Sequence, residues 1–182
     1  MKKLISLFLL TAMTFMSGAV AAETEEKENI ALGKKVTAEC TWGFPAENAV
    51  DGNSGTIWSG LDEGEEFIID LGEEYAIDTI EIQARQDQPQ GFAFSQICGS
   101  TDENFNMFDV INEAGETVRA TETLSVKIES KKKYRYIKLI FPAYASPAEI
   151  RIFEKIISEL SDNIIKLLNF WAVFLLSLNN RN

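Results

Sequence analysis

Four oxygen-bearing side chains, Asn48, Asp51, Asn53 and Thr56, crowd into nine residues, with Gly52 and Gly55 between them. The stretch Ala46–Ser59 suits neither a regular helix nor a strand. Asx side chains bond their own backbone and Gly accepts positive φ, so the composition predicts a tight loop. A tight loop can aim several oxygens at one point. That is the arrangement a hard cation such as Ca²⁺ takes, with roughly six to eight oxygens at about 2.3–2.6 Å. A polar surface turn that binds nothing fits the same residues. The spacing is not that of an EF-hand, since the D-x-D-x-D-G repeat and its closing Glu are missing.

Other site chemistries lack their residues. The chain contains no His. That removes the commonest general base and the usual transition-metal ligand, and with them any Ser-His-Asp or Cys-His device. Asp62, Glu63, Glu65 and Glu66 read as a solvated acidic run. A glycosidase pair needs two acids facing across a cleft. There is no phosphate loop and no nucleophile elbow. The chain reads as non-catalytic.

A length of 182 residues allows one domain of ordinary size, with tails. Residues 1–22 read as a secretory signal. Lys2 and Lys3 give the positive start, Leu4 to Phe15 the apolar run, and Ala19–Ala22 the small residues for cleavage. No Cys precedes Cys40, so no bacterial lipid anchor sits near the cleavage site. The expected location is secreted, periplasmic or on the cell surface. After residue 22 the chain keeps 15 of its 17 basic residues and all 28 acidic ones, a formal charge of −13. This balance argues against nucleic acid and anionic membranes as partners, since both select Lys/Arg patches. Cys40 and Cys98 could form one disulfide in an oxidising compartment, or stay as two separate thiols.

The elements that must position the loop are short strands. Residues 23–28 are an acidic, flexible linker. Extended runs follow at 36–40, 66–71, 75–84, 92–99, 107–111, 124–128, 135–141 and 149–153. Ile80, Ile82 and Ala84 alternate with Glu81 and Gln83, and Ile137, Leu139 and Phe141 with Lys138 and Ile140. Turn residues separate the runs, and no helical period appears before residue 155. The pattern predicts an all-β chain, an antiparallel jelly-roll β-sandwich, rather than a parallel α/β sheet.

Several pieces together resemble one family. They are Asn29–Lys34, Pro45–Asn53, Thr56–Ser59, Phe67–Gly72, Ile80–Ile82, Arg85–Asp87, Ser100–Asp102, Arg135–Leu139 and Ala148–Ile150. In this order, residues 29–155 resemble the F5/8 type C (discoidin) domain, a galactose-binding-domain-like fold, and in particular its bacterial carbohydrate-binding modules of family 32. The resemblance implies a structural Ca²⁺. Asp51 and Glu149 would give carboxylate oxygens, and Asn48, Asn53 and Ala148 backbone carbonyls. Thr56 would give its carbonyl and hydroxyl. Trp58 would lie in the core beneath the metal.

The resemblance also implies a glycan site in the loops at one end of the sandwich. Arg85 stands at the position of the family's Arg, and Gln90 could replace its usual Asn. Trp42, Tyr144, Phe44 and Phe92 are candidate stacking aromatics, and each could instead pack the loop base, Phe44 and Phe92 most readily. Arg85 could equally pair with Asp87 at the surface. The His that relatives often use is missing here.

Residues 156–182 break the pattern. Ile164 to Leu178 is almost wholly apolar and reads as a short hydrophobic helix, below the roughly 20 residues of a membrane span. Contact of this tail with a membrane stays open. The resemblance leaves three readings of function. One is a secreted module binding a glycan or glycoprotein. Another is an adhesion or protein-interaction module on the same fold. The last is the remnant of a larger glycoside hydrolase.

Overall fold

The structure is a computed structural model, and it describes residues 27–39, 43–60, 64–87, 91–113, 115–155, 167, 168 and 171. Among these residues nine strands follow in chain order. They are β1 (Lys35–Ala38), β2 (Glu65–Ala84), β3 (Phe92–Ala93), β4 (Gln96–Ser100), β5 (Asp109–Asn112), β6 (Thr117–Val118), β7 (Thr123–Lys127), β8 (Lys133–Phe141) and β9 (Pro147–Glu154). A 3-10 helix, Ala46–Val50, lies between β1 and β2.

β2 organises the sandwich. Its first half pairs with β1 and β8, in a sheet ordered β1-β2-β8-β4-β5. Its second half pairs with β7 on one side and β9 on the other. All of these pairings are antiparallel. Twenty extended residues would span roughly 66 Å. Yet Glu65 pairs with Phe141 and Ala84 with Pro147, only six residues apart in sequence. β2 therefore doubles back. The corner is Gly72–Glu74, all exposed, with Gly72 at φ +85° and a register shift between Asp70 and Tyr75. The two strands expected at 66–71 and 75–84 are thus one strand carried around a corner. A second difference is the small β3–β6 ribbon, which pairs Phe92 with Val118. Its two-residue partner β6 is too short to show alternation.

Period-2 alternation explains the core. Phe67, Ile69, Leu71, Ile80, Ile82 and Ala84 of β2 are fully buried, as are Ile137, Leu139 and Phe141 of β8 and Ile150 and Ile152 of β9. Trp58 is also fully buried, with ring centroids 4.8 Å from Phe67 and 5.6 Å from Phe141. The same alternation turns Glu65 inward, so it is buried and not part of a solvated acidic run. Glu66 faces outward and pairs with Lys138 at 2.9 Å. Asp62 and Glu63 lie outside the described residues.

A smaller apolar cluster of Cys98, Phe105 and Tyr136 sits on the other face of the first sheet. Cys98 keeps a free, buried thiol, and burial pushes its pKa up. Cys40 lies outside the described residues. Of the 156–182 segment, only Leu167, Leu168 and Trp171 are described, and they are helical and exposed. Among the described residues no helix is long and apolar enough to cross a membrane.

Candidate functional site

The oxygen-rich loop is built from its own side chains. The 3-10 helix buries Ala46, Ala49 and Val50 and so fixes where the loop begins. Gly52 follows at φ +79°, and a Cβ there would meet Leu32 Cδ1 at 2.9 Å. The backbone angle demands glycine, whereas the exposed end of the Leu32 side chain could shift to make room. Asp51 Oδ1 accepts from the Asn53 N–H (2.8 Å), and Asn53 Oδ1 accepts from the Gly55 N–H (3.0 Å). The Asn48 side-chain amide donates to the Ile57 carbonyl (2.9 Å) and staples the ends of the loop.

Long-range bonds then fasten the loop to β9 and to the residues just before it. The Trp58 N–H donates to the Pro147 carbonyl at 3.1 Å. Gly60 and Ala145 exchange two backbone bonds of 3.0 and 3.1 Å. The Gly52 N–H donates to Glu149 Oε2 at 3.1 Å. Asp51 and Glu149 are thereby brought to one place from 98 residues apart in sequence.

Oxygens outnumber hydrogens at this place. The Thr56 hydroxyl lies 2.8 Å from Asp51 Oδ2 and 2.7 Å from the Asn53 carbonyl. A hydroxyl has one proton, so it can satisfy only one of them. Glu149 is buried, and its Oε1 has no hydrogen-bond partner. Burial drives the Glu149 pKa up to about 7, and the Asp51 charge adds to the rise. The Gly52 N–H and Arg151 oppose it. A buried carboxylate with an orphaned oxygen carries a desolvation cost that a cation would offset. The donors are oxygen only, two carboxylates among neutral groups, which suits a hard cation. Among the described residues no three His, Cys, Asp or Glu side chains converge. Such a site would therefore depend on carbonyl and hydroxyl oxygens as well as the two acids. Ala148 is fully buried beside Glu149 in β9.

Next to the loop lies a cavity of about 380 Å³, lined by Phe44, Asn48, Ser54–Ile57 and Arg85–Asp87. One wall is the oxygen-rich loop, and the other is the chain leaving β2. The size falls within the range of small-ligand pockets. Arg85 forms a two-pronged ion pair with Asp87, Nε to Oδ1 at 2.7 Å and Nη2 to Oδ2 at 2.8 Å. This pairing raises the Arg85 pKa and lowers that of Asp87. The Tyr144 hydroxyl also lies against the guanidinium. Burial raises the Tyr144 pKa, but the Ser146 and Ser59 hydroxyls and Arg85 outweigh it, and the net shift is downward. The Gln86 amide donates to the Ala84 carbonyl at 2.8 Å.

The structure thus brings Arg85 and Phe44 into one cavity, with Asn48 and Thr56 of the loop beside them. Tyr144 stands beside Arg85 and outside the residues that line the cavity. Phe92 is buried at 5.9 Å from Phe141, so it packs the base of the loops. Trp42 and Gln90 lie outside the described residues. Gln86 and Ser54 were not singled out by sequence reasoning. Their only signal is adjacency to Arg85 and to the Asx/Gly loop.

With this geometry in place, comparison with known proteins identifies the family. The F5/8 type C domain model matches residues 33–155, and the chain belongs to that family. Among solved structures, the fold is similar to the family 32 carbohydrate-binding module of C. perfringens NanJ, solved with galactose. The TM-score is 0.58 at 22% identity, covering 67% of this chain and 94% of that one. It is also similar to a Clostridium perfringens module solved with GalNAc-beta-1,3-galactose, with TM-score 0.59 and 22% identity over 70% of this chain and 99% of that one. The lectin domain of lectinolysin, complexed with Lewis B antigen, gives TM-score 0.56 and 23% identity over 71% and 99%. At these identities the likeness is one of fold. No curated protein matches the chain.

Proposed function

We propose that this chain is a non-catalytic, exported glycan-binding module with a structural Ca²⁺. The cavity between the oxygen-rich loop and the end of β2 carries the reading, because it joins an exposed apolar face to fixed polar groups. Phe44 is 39% exposed and lines the cavity together with Arg85. An aromatic face covers the C–H face of a sugar ring, while Arg and amide groups bond its hydroxyls. Three structures of similar fold were solved with saccharides, which supports the same reading.

Asp51, Thr56 and Glu149, with the carbonyls of Asn48, Asn53 and Ala148, would hold the Ca²⁺. The ion would neutralise the Asp51–Glu149 pair and tie the loop to β9. It would fix the wall of the cavity and perform no chemistry on the ligand.

The test is a glycan array with the full chain, in calcium and in EDTA, beside the Arg85→Ala variant. The expected result is a defined set of sugar hits that falls by tenfold or more on replacing Arg85, an effect of about 1.4 kcal/mol or more. Protein partners captured without any sugar hit would move the function to adhesion on the same fold.

A further inference from the structure

Resting on the glycan reading above, we propose that Asp87 sets the charge class of the ligand, so that the cavity takes neutral saccharides and rejects carboxylated ones. The observation is how the one cation is used. Among the described residues lining the cavity, Arg85 is the only positive side chain and Asp87 the only negative one. They are not independent. Asp87 takes two N–H groups of the guanidinium, at 2.7 and 2.8 Å. The Arg85 side chain is only 14% exposed, whereas that of Asp87 is 69% exposed. The positive charge is therefore sunk and already matched, and the charge at the rim facing solvent is negative.

A two-pronged Arg–carboxylate bond is the same bond that an acidic sugar would seek. Asp87 occupies it already. A uronic or sialic acid would have to displace Asp87 or sit beside it, and like charges at close range are costly. Asp51 bonds the Thr56 hydroxyl of the loop wall, and among the described lining residues no second cation compensates.

A neutral sugar meets no such conflict. The Asn48 and Gln86 amide N–H₂ groups are each engaged with a backbone carbonyl. Their side-chain oxygens, and the second lone pair of each Asp87 oxygen, can accept sugar hydroxyl protons. The N–H groups of Arg85 not engaged by Asp87 or Tyr144 can donate to hydroxyl oxygens. A rim rich in acceptors around a neutralised Arg is complementary to vicinal hydroxyls.

The experiment compares the full-length wild type with Asp87→Asn and Asp87→Ser on arrays of galactose, N-acetylgalactosamine and mannose against glucuronic and sialic acid. Each comparison is run at low and high salt, with melting curves to confirm folding. The wild type is expected to bind one or more neutral sugars with little salt dependence and to ignore the acids. Both variants are expected to gain acid binding by about tenfold, and high salt should weaken that gained binding. Wild-type binding to the acidic sugars would overturn the proposal and leave the glycan reading standing. So would folded variants with an unchanged charge preference. An absence of all sugar binding by wild type and variants would overturn both.

Discussion

Glu149 carries a carboxylate into a buried place where one oxygen meets no hydrogen. Its pKa rises from 4.5 to about 7, chiefly through burial. A raised acid pKa means that the folded chain holds the proton more tightly than the unfolded chain does. Without metal, this group therefore costs no stability below 4.5, and its cost grows as the pH rises from 4.5 to about 7 and levels off above that. The full cost is on the order of 3 kcal/mol. Calcium bound as proposed would reverse this by stabilising the carboxylate. In EDTA the melting temperature should thus fall across this range, relative to Glu149→Gln. Added calcium should raise the wild-type melting temperature more at the alkaline end than at the acid end, and should not raise that of Glu149→Gln. Thermal melts across pH check it, and a calcium-independent wild type would reduce the loop to a turn. The sequence alone offers half of this candidate site. Asx and Gly chemistry is local, so Asp51 and its neighbours are visible in one window. That Glu149 closes the set from 98 residues away came from the family resemblance, not from spacing.

At the scale of elements, β2 links the two ends of the domain. Its returning half starts beside Asp78 and ends beside Arg85, roughly 23 Å apart for seven extended residues. Asp78 is buried and bonds both Lys27 and Lys127. It therefore ties the lead-in segment and the end of β7 to β2. Burial works to raise the Asp78 pKa, but the Lys127, Lys27 and Thr79 bonds outweigh it and hold the carboxyl well below the usual range. A depressed pKa contributes stability above the ordinary value of 3.8, and the contribution is lost as the pH falls below it. Asp78→Asn should cost about 1–2 kcal/mol near neutral pH, discounted because both lysines are about half exposed. The gap between variant and wild type should close in acid, and a gap independent of pH would contradict the ion-pair account.

The strand ladder was legible in the sequence because a half-buried strand must alternate. The corner at Gly72 was visible as a break. That the ladder continues through it depends on partners in β8 and β9, which no local window contains. Glu65 was misread for a related reason. Its charge suggests solvent, while its place in the inward register of β2 decides its burial.

At the scale of the whole domain, the cavity and the described residues Lys27 and Lys155 sit at opposite ends of the returning half of β2. The Lys155 N–H donates to the Ala76 carbonyl at 2.7 Å, and its ammonium bonds the Ile128 and Ser130 carbonyls. Lys27 reaches Asp78 at the same pole. The cavity lies at the far end of the returning half of β2, beside Arg85. The most direct measurement of the central claim is an amide chemical-shift map of the chain, titrated with the strongest sugar from the array. Shifts are predicted to gather at Phe44, Asn48, Ser54–Ile57 and Arg85–Asp87, with little change around Asp78 and Lys155. Shifts gathered instead at the Asp78–Lys155 pole, or absent while the array shows binding, would contradict the placement of the site.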